Sequence, residues 1–260
     1  MKTNPKWYDY GLPVLFILDL LLNYLSSQAI FFKASQAEIS DKYLNLLAPA
    51  GFTFAIWGLI YLGMAVTLFI PFSKRISAPF KEAYRSILAP ILLQILFLNM
   101  MWLVAWSSDL LLIALIIILI YYQRLLDGLK RISATPLLRD HLWSLKYPWG
   151  LHYGWLIVAT FANFNTYLVS KGFPGTGGLA VFASLVLILV IVGLGLYAFA
   201  KYGNGLVMVP ILWALLGVLA KHRPGSDFGS ASLLLFWLGI IILLGSLGIA
   251  WHFYRLQKAQ

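Results

Sequence analysis

Apolar residues run along this chain in long unbroken stretches separated by short polar ones. Eight such stretches stand out, at roughly 12–32, 50–71, 87–106, 109–125, 148–170, 178–200, 204–220 and 231–253. An α-helix rises about 1.5 Å per residue, so about 20 residues cross a hydrocarbon core about 30 Å thick. Backbone N–H and C=O groups find no partner in lipid, so a spanning segment must pair them within itself. The runs are too long and too continuous for the alternation of an outer-membrane barrel strand. The pattern predicts an all-α integral membrane protein with eight transmembrane helices.

The polar stretches supply the turns. Trp106-Ser-Ser-Asp109 joins the third and fourth runs so tightly that they form a hairpin. Ser107 or Ser108 is placed to cap the next helix, and Asp109 suits its positive end. Lys171-Gly-Phe-Pro-Gly-Thr-Gly-Gly178 is a turn-rich linker, and it divides the chain into residues 1–171 and 172–260. Pro13, Pro90 and Pro148 lie in or near first turns, where a missing N–H costs little. Pro210 falls within the seventh run and predicts a kink.

Lysine and arginine set the orientation, because cytoplasmic loops carry their excess. With eight spans and a cytoplasmic N-terminus, 14 of the 19 basic residues fall inside and 5 outside. Both termini are therefore expected in the cytoplasm.

Composition narrows the function. The chain is 61% hydrophobic and 11% charged, with a mean hydropathy of +0.85. That is too little charge to cover a water-facing surface, so the lipid bilayer is the first partner. The net charge of +10 is read as topology signal at helix ends, not as a nucleic-acid surface. With no cysteine, disulfides and thiolate chemistry are excluded. Lys2 and Lys6 resemble a signal-peptide n-region, but Asp19 interrupts the apolar run and no cleavage site follows, so a retained first helix is expected. The four histidines, His141, His152, His222 and His252, are scattered without ligand spacing, and no phosphate loop or nucleophile elbow occurs. No catalytic and no metal-binding residue is assigned, and the sequence gives an enzyme little support.

Two groups of residues could carry chemistry. Asp19 lies deep in the first run, one helical turn before Asn23. A carboxylate at membrane depth is costly and faces the bundle or a wet cavity. It reads either as a proton or cation site or as a hydrogen-bonded acid pinning helix one. The second group is aromatic. Phe54, Trp57 and Tyr61 share one stripe, as do Asn99, Trp102 and Trp106; Trp155, Ala159, Ala162 and Thr166 share another, with Asn163 at its shoulder. Flat indole walls, N–H donors and amides make a pocket for a planar hydrophobic ligand. The same residues also serve plain interhelical packing. Tyr121, Tyr122, Trp149 and Trp251, with Trp7, Tyr8 and Tyr10, read as interfacial belt residues.

Pro49-Ala-Gly-Phe-Thr-Phe-Ala-Ile-Trp57-Gly-Leu-Ile-Tyr61-Leu-Gly-Met-Ala65 resembles the second-helix signature of the TspO/MBR family of tryptophan-rich sensory or translocator proteins. Asn99-Met-Met-Trp102 resembles the family's third-helix step, and Trp155 to Asn163 its fifth-helix spacing. The resemblance covers about residues 12–170. It implies a five-helix TspO-like bundle, here with a three-helix C-terminal extension. It also implies a pocket near the loop joining helices one and two, lined by Trp57, Tyr61, Asn99, Trp102, Trp155 and Asn163. Family members bind porphyrins, bilins and sterols, so a porphyrin or haem-like ligand is expected without an obligatory cofactor. Light-dependent porphyrin breakdown, linked to some members, would fall to Trp57 and Trp155. The expected role is sensing or carrying a planar hydrophobic molecule. A proton-coupled transporter and a structural membrane interaction protein stand as alternatives. Gly193, Gly195, Gly245 and Gly248 would let a second protomer approach closely, as in a homodimer.

Overall fold

A computed structural model describes residues 7–224 and 230–258. Lys2 and Lys6, which resemble an n-region in sequence, lie outside the described residues, as does the stretch 225–229. The eleven α-helices are α1 (Trp7–Ser27), α2 (Gln36–Lys42), α3 (Ile56–Leu68), α4 (Ala78–Ala83), α5 (Ala89–Ser107), α6 (Leu111–Ala134), α7 (Pro136–Arg139), α8 (Tyr147–Ser170), α9 (Gly178–Tyr202), α10 (Met208–Lys221) and α11 (Ser230–Lys258). Among the described residues six helical runs are long and apolar enough to cross a membrane: Trp7–Ser27, Gly51–Phe72, Ala78–Ser107, Leu111–Ala134, Gly178–Tyr202 and Leu235–His252. The chain is thus a multi-pass helical membrane protein.

Eight crossings were expected, and two of the expected spans do not meet that standard. The run Gly205–Lys221 is too short. Helix α8 is long enough, but His152, Asn163, Asn165 and Thr166 dilute its apolar character, and all four are buried in the protein. Helix α8 faces other helices almost all round, packing on α6, α3, α9 and α10. A helix with so little lipid contact has no need of an apolar surface. The outer helices behave oppositely. On α6, Leu112, Ile113, Ile116, Leu119 and Ile120 are exposed on one flank, while Ala114, Ile118, Tyr121 and Leu125 are buried on the other. An apolar flank with nothing protein-made against it belongs in lipid.

Several local expectations change. Tyr121 and Trp149, read as belt residues, are buried: the Tyr121 hydroxyl and His152 Nε2 are 2.6 Å apart, and Trp149 donates to the Leu125 carbonyl at 2.8 Å. Trp7, Tyr10 and Trp251 are exposed as a belt requires. Pro210 sits in the first turn of α10, after a 3₁₀ turn at Gly205–Val207, and not in mid-helix. Neither Ser107 nor Ser108 caps α6, which starts after Leu110 with no side-chain cap. Ser107 Oγ lies 2.6 Å from Ser26 Oγ on α1 instead.

Arg85 is buried in a π-helical turn (Tyr84–Leu88) ahead of α5 and is not exposed as an inner-loop charge would be. It donates through Nε to Asp9 Oδ1 at 3.0 Å and so ties the start of α1 to α5. Of the C-terminal helices, α9 and α10 pack directly on α8, and α11 packs on α9 and α10. At Gly154 a Cβ would collide with the Val207 carbonyl, so glycine permits that approach. Gly195 likewise faces Met208 and Ile211 of α10 within the same chain, whereas Gly193, Gly245 and Gly248 face open space.

Candidate functional site

The chain between α1 and α3 lies over the ends of α5, α8 and α10. Ser35 caps α2 in a reciprocal capping box with Glu38. Beyond α2, Asn45 folds the loop: its amide donates to the Tyr43 carbonyl at 2.8 Å, and its oxygen accepts from Ala48 N at 2.8 Å and from Asn165 Nδ2 at 3.0 Å. Four further ties hold the loop down. Trp106 Nε1 donates to the Gln36 carbonyl at 3.1 Å, and Lys221 to Asp41 at 2.8 Å. His222 Nε2 bonds the Leu46 carbonyl at 2.9 Å, and Lys42 pairs with Asp109. Asp109 holds a positive φ of 63°, a region aspartate tolerates better than most residues, and its other oxygen accepts from the Tyr43 hydroxyl at 2.9 Å. Burial pushes the Asp109 carboxyl up, but hydrogen bonds from Lys42 and Tyr43 and the charges of Lys42 and Lys33 outweigh it and hold it below the usual carboxylate range. Lys42 is correspondingly raised, chiefly by its bond to Asp109.

Beneath this loop lies a narrow, partly open cavity. Its walls are aromatic and small: Phe54 and Trp57 on the α3 side, Trp102 and Trp106 on α5, and Trp155, Ala159 and Ala162 on α8. Helical spacing of three and four brings each set to one face. The Trp57 ring is the hub. It stacks on Tyr61 with centroids 5.3 Å apart, meets Trp155 edge-on at 6.2 Å, and lies 6.4 Å from Trp102.

The expected residues divide into two groups. Trp57, Trp102, Trp155 and Asn163 line the aromatic cavity. Trp102 donates its indole N–H to Asn163 Oδ1 at 3.0 Å, and Asn163 Nδ2 donates to the Ala159 carbonyl at 2.8 Å, so this pair is committed to joining α5 and α8. Trp57 Nε1 and Trp155 Nε1 are buried with no hydrogen-bond partner among the described residues. Tyr61 and Asn99 are not on the cavity wall. Asn99 Nδ2 donates to both Asp19 oxygens, at 2.9 and 3.0 Å, and to the Tyr61 hydroxyl at 3.1 Å. Asp19 and Asn23 stay with this polar cluster on the far side of the Trp57–Tyr61 stack. Asn23 borders a second, more polar cleft with Ser27, Ser35 and Gln36, and Trp57 and Phe54 separate that cleft from the aromatic cavity by lining both.

Sequence reasoning did not single out the loop residues Ser40, Ala48 and Pro49 as cavity lining, nor Tyr121 and His152 behind Trp57. Loop contacts carry no periodicity to reveal them. Among the described residues no cluster of three or more metal-ligating side chains occurs.

Compared with known families, the chain matches the model described as TSPO-like protein over residues 12–250. No curated protein and no solved structure matches it.

Proposed function

This chain belongs to the TSPO-like (TspO/MBR) family, and we propose that it binds a planar hydrophobic molecule in the aromatic cavity between α3, α5 and α8, as sensor or carrier. One observation carries this reading. Trp57 and Trp155 both line one cavity, and their indole N–H groups are buried without partners among the described residues. Buried donors are almost always paired, and leaving one unmade costs about 1–3 kcal/mol. A carbonyl or carboxylate on a flat ligand supplies both partners. Tetrapyrroles and porphyrins have that chemistry. A molecule as broad as a tetrapyrrole also requires the tilted Trp57–Trp102 and edge-on Trp57–Trp155 contacts to part, and neither is a close stack.

The membrane arrangement completes the proposal. Helices α8 and α10 cross with the six longer runs, giving eight crossings and both termini in the cytoplasm. Residues 1–171 form the five-helix ligand-binding bundle. Residues 172–260 are a three-helix extension that secures the loop through Trp213, Lys221 and His222; Trp213 Nε1 donates to the Thr53 carbonyl at 2.9 Å.

Titration of the purified protein with protoporphyrin IX, followed by tryptophan quenching, tests the cavity. Ala159→Phe fills it from α8 and is expected to weaken binding at least tenfold, while Ile116→Phe on the exposed flank of α6 leaves it unchanged. Equal affinities in all three proteins contradict the proposal.

A further inference from the structure

Asp19 is fully buried in α1, and among the described residues no lysine, arginine or histidine pairs with it. Its surroundings are Asn99 from α5, Tyr61 from α3, and Tyr121 from α6, whose hydroxyl is engaged with His152 of α8. The nearest tie to α2 is Gln36, which bonds Ser26 two turns farther along α1. A carboxylate in such a place needs a proton or a counter-ion. An oxygen-bound metal cation requires a cage of carboxylate and carbonyl oxygens. Asn99 instead turns its N–H₂ toward the carboxyl, which leaves a proton as the species that fits.

A purely structural pin would also be saturated, since half-satisfied polar networks are costly. This one keeps spare capacity. Asn99 Oδ1 and Asn23 Nδ2 are buried without partners. When the carboxylate takes a proton from hydronium, one O–H bond breaks in the donor, which leaves as water, and one O–H bond forms on Asp19. Rotating the Asn99 amide then sets its free oxygen on that O–H. The open cleft lined by Asn23, Ser27, Ser35 and Gln36 brings polar surface to within one helical turn of the acid.

We propose that Asp19, with Asn99 and Tyr61, is an intramembrane proton-binding site whose occupancy is linked to that of the aromatic cavity. The link runs through two observed contacts. Asn99 bonds the Tyr61 hydroxyl, and the Tyr61 ring stacks on Trp57, the hub of the cavity wall. Turning the Asn99 amide exchanges the donor that Tyr61 receives and so biases the stack. The proton site stands by itself, whereas the link rests on the cavity being a ligand site.

Two measurements on the full-length protein in lipid nanodiscs separate these claims. Infrared difference spectra over the pH range in which the protein stays folded are expected to show a protonated-carboxyl C=O band. That band disappears in Asp19→Asn and shifts in Asn99→Ala, which removes its hydrogen-bond partner. Should Asp19→Asn fail to fold, the Asn99→Ala shift decides. Absence of any band dependent on Asp19 or Asn99 overturns the proton site. Calorimetry with anthraquinone, a planar probe that does not titrate, in two buffers of different ionisation enthalpy reads protons exchanged on binding. The wild type and the surface variant Asp140→Asn are expected to exchange protons, and Asp19→Asn to exchange none. Binding without proton exchange overturns the link, as does exchange that survives in Asp19→Asn. Failure of anthraquinone to bind at all counts against the cavity and the link together, and leaves the infrared result to decide the proton site.

Discussion

The tryptophans of the cavity look alike in sequence and do different work. Trp102 is bonded to Asn163 across two helices, whereas Trp57 and Trp155 keep free N–H groups. Replacement by phenylalanine separates these roles. Trp102→Phe strips Asn163 Oδ1 of its donor in a buried place and is expected to destabilise the fold by about 1–3 kcal/mol. Trp57→Phe removes no hydrogen bond present in the free protein and is expected to cost less. Unfolding midpoints of the two variants in the same detergent check this. Helical spacing placed Trp57, Trp102, Trp155 and Asn163 on converging stripes, and these four do meet at one cavity. It could not assign partners. That Tyr61 and Asn99 turn to Asp19 depends on the rotation of α1 against α3 and α5, which no single-helix periodicity encodes. The Asp9–Arg85 pair joins residues 76 apart and was invisible for the same reason.

At the scale of elements, apolar runs located the helices well and their environment poorly. Hydropathy does not distinguish a lipid-facing flank from a helix-facing one. Tyr121 therefore read as a belt residue though it is buried, and α8 read as one more span though it is the helix most enclosed by others. The loop from 33 to 50 was legible only as polar sequence. Its order comes from partners on four helices, and its ionic latch is open to test. Because the Asp109 carboxyl is held below its ordinary value in the folded protein, its contribution is present above about pH 4 and fades as pH falls through the lowered value. Hydrogen-exchange protection of residues 33–50 is expected to fall in acid faster in the wild type than in Asp109→Asn. Equal pH dependence would show that the latch contributes nothing.

For the whole molecule, the absence of cysteine makes topology directly measurable. Single cysteines at Lys171 and Lys258 are expected to label from opposite sides of sealed vesicles, with Lys258 on the cytoplasmic side. Labelling of both from one side contradicts the three crossings expected between them. The C-terminal helices join the remainder through close contacts such as Gly154 against Val207, and they anchor the loop above the cavity. The extension thus acts on the pocket through the loop while contributing no residue to the aromatic wall.

The most direct test of the account is the affinity of protoporphyrin IX for the Trp57→Phe/Trp155→Phe double variant, measured beside its unfolding midpoint. A smaller aromatic ring remains at each position as a wall, and the two unpaired donors are lost. Each hydrogen bond is worth about 0.5–1.5 kcal/mol, so binding is expected to weaken by roughly five- to a hundredfold while the midpoint stays close to wild type. Undiminished affinity in the folded variant would show that the indole donors face no ligand, and the cavity would lose its proposed role.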